Sequence, residues 1–191
     1  MVLTVRAADP RDAPAAMALL NAIFAKGGTT AMETPLSQSE VEEWFLSPGL
    51  RVWFCHIAEG NGVLQGFQSV GKQTTLIAGW GEMGTYAAIG ATQRGIGAAL
   101  FTQTVTAARA LGLCHLNALI RSDNSGGLAY YNRVGFGVDT AGAPATLKSG
   151  QVVARIAKRF DLRIFCALFE TFVPKLPFLP HSARTTRPNG E

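Results

Sequence analysis

Glu82 and Tyr86 lie four residues apart in Glu82 to Ile89, a stretch that reads as a strand. Side chains alternate along a strand, so the two share one face. A carboxylate placed there can take a proton from an amine, directly or through water, and a raised pKa would suit that task. The competing reading is a carboxylate on an exposed strand face. Just downstream runs Thr92-Gln93-Arg94-Gly95-Ile96-Gly97, which opens a long apolar-periodic segment. Strand, glycine turn and helix in succession leave backbone N–H groups aimed at one spot. The positive end of the helix dipole adds to them, which makes an anion site. Paired glycines are also common in tight turns that only permit close packing. The N–H groups around Tyr86 and Ala87 are candidate donors to a developing oxyanion, if this strand splays from a parallel neighbour, and Thr85 beside them is a candidate ligand contact. A phenol, Tyr131, stands on a later helix that Asn124 opens.

The elements that must position these groups follow from pattern. Leu3 to Ala7 alternates as a first strand. Asp12 is expected to cap a helix carrying Pro14 in its first turn, with Ala16, Met17, Leu20, Ile23 and Phe24 on its apolar face and Gly27-Gly28 as its stop. Ser37-Gln38-Ser39-Glu40 is a capping-box pattern opening a second helix, with Val41, Trp44 and Phe45 inward and Pro48-Gly49 at its end. Val52 to Ala58 and Val63 to Gly71 are strands joined by a hairpin turn at Glu59-Gly60-Asn61-Gly62. Ile96 to Leu111 is a helix closed by Gly112, and Leu116 to Ile120 is a short apolar strand after it. Strand, helix, strand implies a right-handed parallel crossover. Asp123-Asn124-Ser125 caps a helix over Gly126 to Val134. Gly135-Phe136 turns into a further strand, Gly142 to Gly150 is expected to be a loop, and Val152 to Phe160 is the last strand of the core.

Composition bounds the rest. The chain of 191 residues fits one domain with a sizeable core. It is 48% hydrophobic and 16% charged, with no apolar run long enough for a membrane span and no basic, apolar leader at Met1 to Val5, so a cytoplasmic protein is expected. The cysteines Cys55, Cys114 and Cys166 are far apart and odd in number, which argues against disulfides. Neither they nor His56, His115 and His181 have metal-ligand spacing, so no metal is expected. The net charge of +4 suits an anionic ligand, but no dense Lys/Arg cluster interleaved with aromatics points to nucleic acid.

Two motifs together then narrow the reading. Gly95-x-Gly97 opens one helix, and Asn124, Gly127, Tyr131 and Gly135-Phe136 mark a second, one helix and one strand later. In order and spacing they resemble the Gcn5-related N-acetyltransferases. The resemblance covers residues 2 to 162 and implies an α/β (α+β) fold: a mixed, largely antiparallel twisted sheet with a splayed central parallel strand pair and flanking helices. It implies that the glycine turn (Thr92, Gln93, Arg94, Gly95, Ile96 and Gly97) holds the pyrophosphate of acetyl-CoA and that Tyr131 is the general acid toward the sulfur. Asn124 is either a contact to the pantetheine arm or a plain helix cap. The first motif position, commonly Gln or Arg, is Thr92 here, so a guanidinium contact would come from Arg94.

Within the family, the chain looks most like the phosphinothricin and methionine sulfoximine acetyltransferases. This rests on the Thr-rich loop with Glu33 and Pro35, on Glu82 with Tyr86, and on Arg155 to Leu162. The Arg and Tyr that this branch carries before its glutamate are missing from Lys72 to Gly81. Phe24, Glu33 and Trp80 are the candidate walls of an acceptor pocket. The expected activity is acetyl transfer to the primary amine of a small molecule, such as an amino acid or analogue, by a homodimer. The alternative is a non-catalytic acyl-CoA-binding or regulatory module on the same fold. A dinucleotide binder ranks last, since no acidic residue stands at the end of the next strand. The expected division is residues 1–162 as the acetyltransferase domain and 163–191 as an apolar segment with a polar tail.

Overall fold

The structure, a computed structural model, describes residues 3–49, 51–72, 78–91 and 95–163. Its centre is a seven-stranded sheet in the order β1-β2-β3-β4-β5-β7-β6. The strands are β1 (Leu3–Ala7), β2 (Val52–Gly60), β3 (Val63–Gly71), β4 (Trp80–Ala87), β5 (His115–Arg121), β6 (Gly137–Thr146) and β7 (Val152–Asp161). The helices are α1 (Ala13–Lys26), α2 (Gln38–Val41, running on into a wider turn over Glu42–Leu46), α3 (Ile96–Ala110) and α4 (Ser125–Arg133).

All neighbouring strands are antiparallel except β4 and β5. The β4–β5 pair is parallel, joined by the α3 crossover, and it is in register for only three residues, from Trp80 opposite His115 to Glu82 opposite Asn117. β4 runs on to Ala87 paired with β3 alone, so the sheet opens into a split just beyond Glu82. This is the splayed mixed sheet that the sequence implied.

Local chemistry accounts for the boundaries. Ser37 and Glu40 close the expected capping box at α2. The β2–β3 hairpin turns on Asn61 (φ 53°) and Gly62 (φ 75°), the paired positive φ values of a two-residue primed turn. Two expectations are corrected. Asp12 precedes α1 but its side chain makes no cap bond to it. Its carboxylate accepts instead from the Asp9 amide at 2.8 Å and from the Arg6 guanidinium at 2.8 and 2.9 Å, because a bidentate ion pair outbids a single amide. Gly142 to Gly150 is not all loop: β6 continues to Thr146, with an irregularity between Gly142 and Ala145 that accommodates Pro144.

The two faces of the sheet carry separate cores. One lies under α1 and α2 and includes Leu20, Phe24, Val41, Phe45 and Phe67. The other lies under α3 and α4 and includes Met83, Phe101, Leu116, Ala118, Tyr131 and Phe136. A fully buried side chain such as Leu20, Leu100 or Phe67 contributes about 1.5–3 kcal/mol to this arrangement.

Candidate active site at the split between β4 and β5

The split exposes main-chain groups that a continuous sheet would pair. The Ala88 amide donates to the Gln65 carbonyl at 2.9 Å, and β3 and β4 stay in register from there to Glu82. Ladder bonds alternate along an antiparallel pair. The amides of Tyr86 and Gly84 therefore face β3, whereas those of Thr85 and Ala87 face the side from which β5 has turned away. Of the two expected oxyanion donors, the Tyr86 amide is directed into the sheet and the Ala87 amide into the split, where the Thr85 amide joins it.

Glu82 sits where the two strands part. Its Oε2 accepts from Asn117 Nδ2 at 2.6 Å, and the Leu119 backbone adds a second hydrogen bond. Burial pushes the Glu82 pKa up, and the Asn117 bond, the Arg155 charge and the Leu119 bond oppose that only in part. A carboxyl held above its ordinary range is fitted to take a proton from an ammonium.

Tyr86 shares the Glu82 face, as alternation requires. Its ring packs edge-on against Phe45, with centroids 5.5 Å apart, and against Phe67 at 4.9 Å. It folds back across Gly84: a Cβ at Gly84 would lie 2.8 Å from the phenol oxygen. Trp80, on the same face, lies tilted against the His115 ring with centroids 4.7 Å apart, and the Arg159 guanidinium sits over its ring at 5.5 Å.

Tyr131 reaches the split from the opposite face. It is 7% exposed, and its hydroxyl lies 3.3 Å from both the Met83 carbonyl and Thr85 Oγ1. Burial drives its pKa far up, so the phenol keeps its proton at neutral pH. Carboxylate and phenol thus flank the split, one on each side of β4.

The glycine turn lies at the head of α3. Gly95 is the residue before the helix, in the left-handed region at φ 78°, which a side chain would strain. Ile96 is buried at 2% exposure, and the Ala99 amide donates to the Gly95 carbonyl. Thr92, Gln93 and Arg94 lie outside the described residues. Among the described residues no side chain caps the α3 N-terminus, and a helix end of this kind suits an anion.

Asn124 does two structural jobs: Oδ1 accepts from the Gly127 amide at 2.8 Å and Nδ2 donates to the Thr29 carbonyl at 3.0 Å. Its side chain is therefore a helix cap and a loop anchor. The loop it holds is also tied by Arg121, which donates to the Thr30 carbonyl at 3.2 Å, and by Glu33, which accepts from the Lys148 amide at 2.5 Å. Glu33 thus fastens the loop across the β6–β7 turn. Phe24 is 4% exposed and belongs to the core beneath α1.

Three polar side chains were missed by sequence reasoning: Asn117, Thr85 as a hydroxyl, and Gln68, which is fully buried. The available signal was an amide at an inward position of an apolar strand. Among the described residues no group of His, Cys, Asp and Glu could hold a metal ion, and no helix is long and apolar enough to cross a membrane.

Comparison with known proteins gives a fold and no sequence relative. No family model matches the chain, and no curated protein matches it. Solved structures do. A phosphinothricin acetyltransferase from Sinorhizobium meliloti, in complex with acetyl-CoA, is similar at TM-score 0.70 and 21% identity, over 84% of this chain and 89% of its own. A candidate phosphinothricin N-acetyltransferase is similar at TM-score 0.69 and 25% identity, over 84% and 99%. The ribosomal-protein-alanine N-acetyltransferase of Brucella melitensis is similar at TM-score 0.70 and 20% identity, over 83% and 99%. The split sheet, the crossover through α3 and these likenesses agree: this chain has the fold of the Gcn5-related N-acetyltransferases.

Proposed function

We propose that this protein is an acetyl-CoA-dependent N-acetyltransferase acting on the primary amine of a small molecule. The observation that carries the reading is the split beyond Glu82, with a carboxylate on one face of β4 and a phenol on the other. The residues present fit the cofactor: the N-terminus of α3 behind Gly95 suits a pyrophosphate, and the Thr85 and Ala87 amides face the gap where a thioester would lie. When bound, acetyl-CoA supplies an activated acetyl group.

The chain supplies the rest. Glu82, held by Asn117, takes a proton from the acceptor's ammonium and frees its lone pair. The outward amides of β4 stabilise negative charge as it builds on a carbonyl oxygen, a contribution that oxyanion donors make at about 2.7–4 kcal/mol each. Tyr131, kept neutral by burial, delivers a proton to a departing thiolate. The layers above and below the split exclude water from the amine and the acyl group.

An amino acid or a close analogue is the acceptor we favour, because two of the similar structures are phosphinothricin acetyltransferases. A third acts on a ribosomal protein, so the fold leaves the acceptor open. The test is thiol release from acetyl-CoA across a panel of amino acids, their phosphinate and sulfoximine analogues, polyamines and N-terminal peptides. Turnover on one small-amine class supports the reading. A folded protein that turns over none of them contradicts it. Glu82→Gln and Tyr131→Phe then separate catalysis from mere acyl-CoA binding, since a binding module would be indifferent to both.

A further inference from the structure

Gly97 sits in the first turn of α3, where alanine would be better by about 0.8–1 kcal/mol on helix propensity alone. Something must exclude a side chain there. A Cβ at Gly97 would lie 2.5 Å from Cε2 of Tyr130, so the ring of Tyr130 occupies the space. The Tyr130 hydroxyl then donates to the Gly97 carbonyl at 2.9 Å. The second glycine of the turn is therefore a seat for a residue of α4, which binds the two helices together at the head of α3.

The same hydroxyl accepts from Gln68 Nε2 at 3.0 Å, and that nitrogen also donates to Thr85 Oγ1 at 2.8 Å. Gln68 is fully buried on β3. With the Tyr130 proton on the Gly97 carbonyl, a donor faces the Tyr130 oxygen, and Gln68 Oε1 at the other end of the amide is buried without a hydrogen-bond partner among the described residues. Thr85 Oγ1 is in turn the hydroxyl 3.3 Å from Tyr131, whose other neighbour at that distance, the Met83 carbonyl, cannot donate. Once Tyr131 gives up its proton, Thr85 is the group among these that can turn a proton toward the phenolate. Gln68 donates into one Thr85 lone pair and so leaves that proton free to turn.

We propose that Gln68 is a positioning residue: its single amide nitrogen fixes Tyr130 on the head of α3 and Thr85 on the Tyr131 phenol, so that the first turn of α3 and the acid move as one unit. The proposal rests on the acetyltransferase reading and adds to it a residue outside both motifs. It predicts separable effects. Thr85→Val lowers kcat by roughly three- to tenfold with acetyl-CoA affinity kept. Tyr130→Phe weakens acetyl-CoA affinity by a similar factor with less effect on kcat. Gln68→Met does both.

The experiment measures acetyl-CoA Kd by calorimetry and kcat per active site for wild type, Gln68→Met, Thr85→Val, Tyr130→Phe and the combined variants. Adding Gln68→Met to the Thr85→Val, Tyr130→Phe double variant should cost nothing further, since both bonds are already gone. Gly97→Ala should lose more acetyl-CoA affinity than Tyr130→Phe does, and Gly97→Ala with Tyr130→Leu should recover to the Tyr130→Phe level, because the clash is with the ring and the hydroxyl is absent from both. Gln68→Met matching wild type, losses that multiply independently in the triple variant, or no recovery in the Gly97→Ala, Tyr130→Leu protein would each overturn the proposal. Should Gln68→Met not fold, the glycine–tyrosine pair and the Thr85→Val split decide alone. Wild type that binds no acetyl-CoA would instead overturn the acetyltransferase reading itself.

Discussion

Asn117 Nδ2 donates to Glu82 Oε2 at 2.6 Å across the last paired position of β4 and β5, so the carboxylate is fixed at the point where the sheet divides. The bond favours the charged form of Glu82, while burial favours the neutral one and is the larger influence. Replacing Asn117 by Leu removes the donor and keeps the bulk. The acid limb of kcat/KM against pH, which reports the free enzyme's base, should move to higher pH than in wild type. A profile that does not move would show that Glu82 is not the titrating base.

Glu82→Gln should lower kcat by about 10²-fold or more and remove that acid limb. The same variant reads out on stability with a definite sign. The folded pKa of Glu82 is raised, so its neutral form is favoured on folding. The stabilising contribution is complete below the unfolded pKa and is lost as pH rises through the folded one. Glu82→Gln should therefore have a higher Tm than wild type near pH 7.5, with the gap closing toward pH 4. Thermal melts at both pH values check it.

Tyr131→Phe should lower kcat roughly 10²-fold and leave acetyl-CoA affinity within a factor of about three, because the ring and its packing against Phe136 and Tyr130 are kept. The phenol's strongly raised pKa predicts no loss of activity from its ionisation up to pH 9. Single-turnover rates alongside calorimetry separate the two quantities.

Gly84→Ala places a Cβ 2.8–2.9 Å from the Tyr86 hydroxyl and Cε2. The ring must leave its place between Gly84, Phe45 and Phe67, which should cost about 1–3 kcal/mol in urea unfolding. Alanine at Gly126, where the nearest atom is Asn124 Oδ1 at 3.9 Å, serves as the permissive control.

Much of the fold was legible because it is written in local pattern. The capping box at Ser37, the positive-φ pair Asn61-Gly62 and the apolar stripe from Ile96 to Ala108 each specify their own element. The crossover through α3 follows from their order. The far end of β6 was not legible, because Pro144 and the small residues around it read as loop and only pairing with β7 makes them strand. Asn124 is similar: a cap is visible from Gly127 three residues on, whereas the bond to Thr29 joins residues ninety-five apart in sequence. Gln68 shows locally only as an amide within an apolar strand. Its partners come from β4 and α4, so its meaning exists only once the sheet and helices are assembled.

The account depends on main-chain donors at the head of α3 and along the open edge of β4 holding acetyl-CoA. The direct measurement is a calorimetric titration of the folded protein with acetyl-CoA, repeated with Gly95→Val, which forces a branched side chain into the left-handed region. The account predicts saturable one-site binding that weakens at least tenfold in the variant while the acetyl acceptor assay falls in parallel. Wild-type protein, folded by circular dichroism, that shows no saturable heat with acetyl-CoA would contradict it.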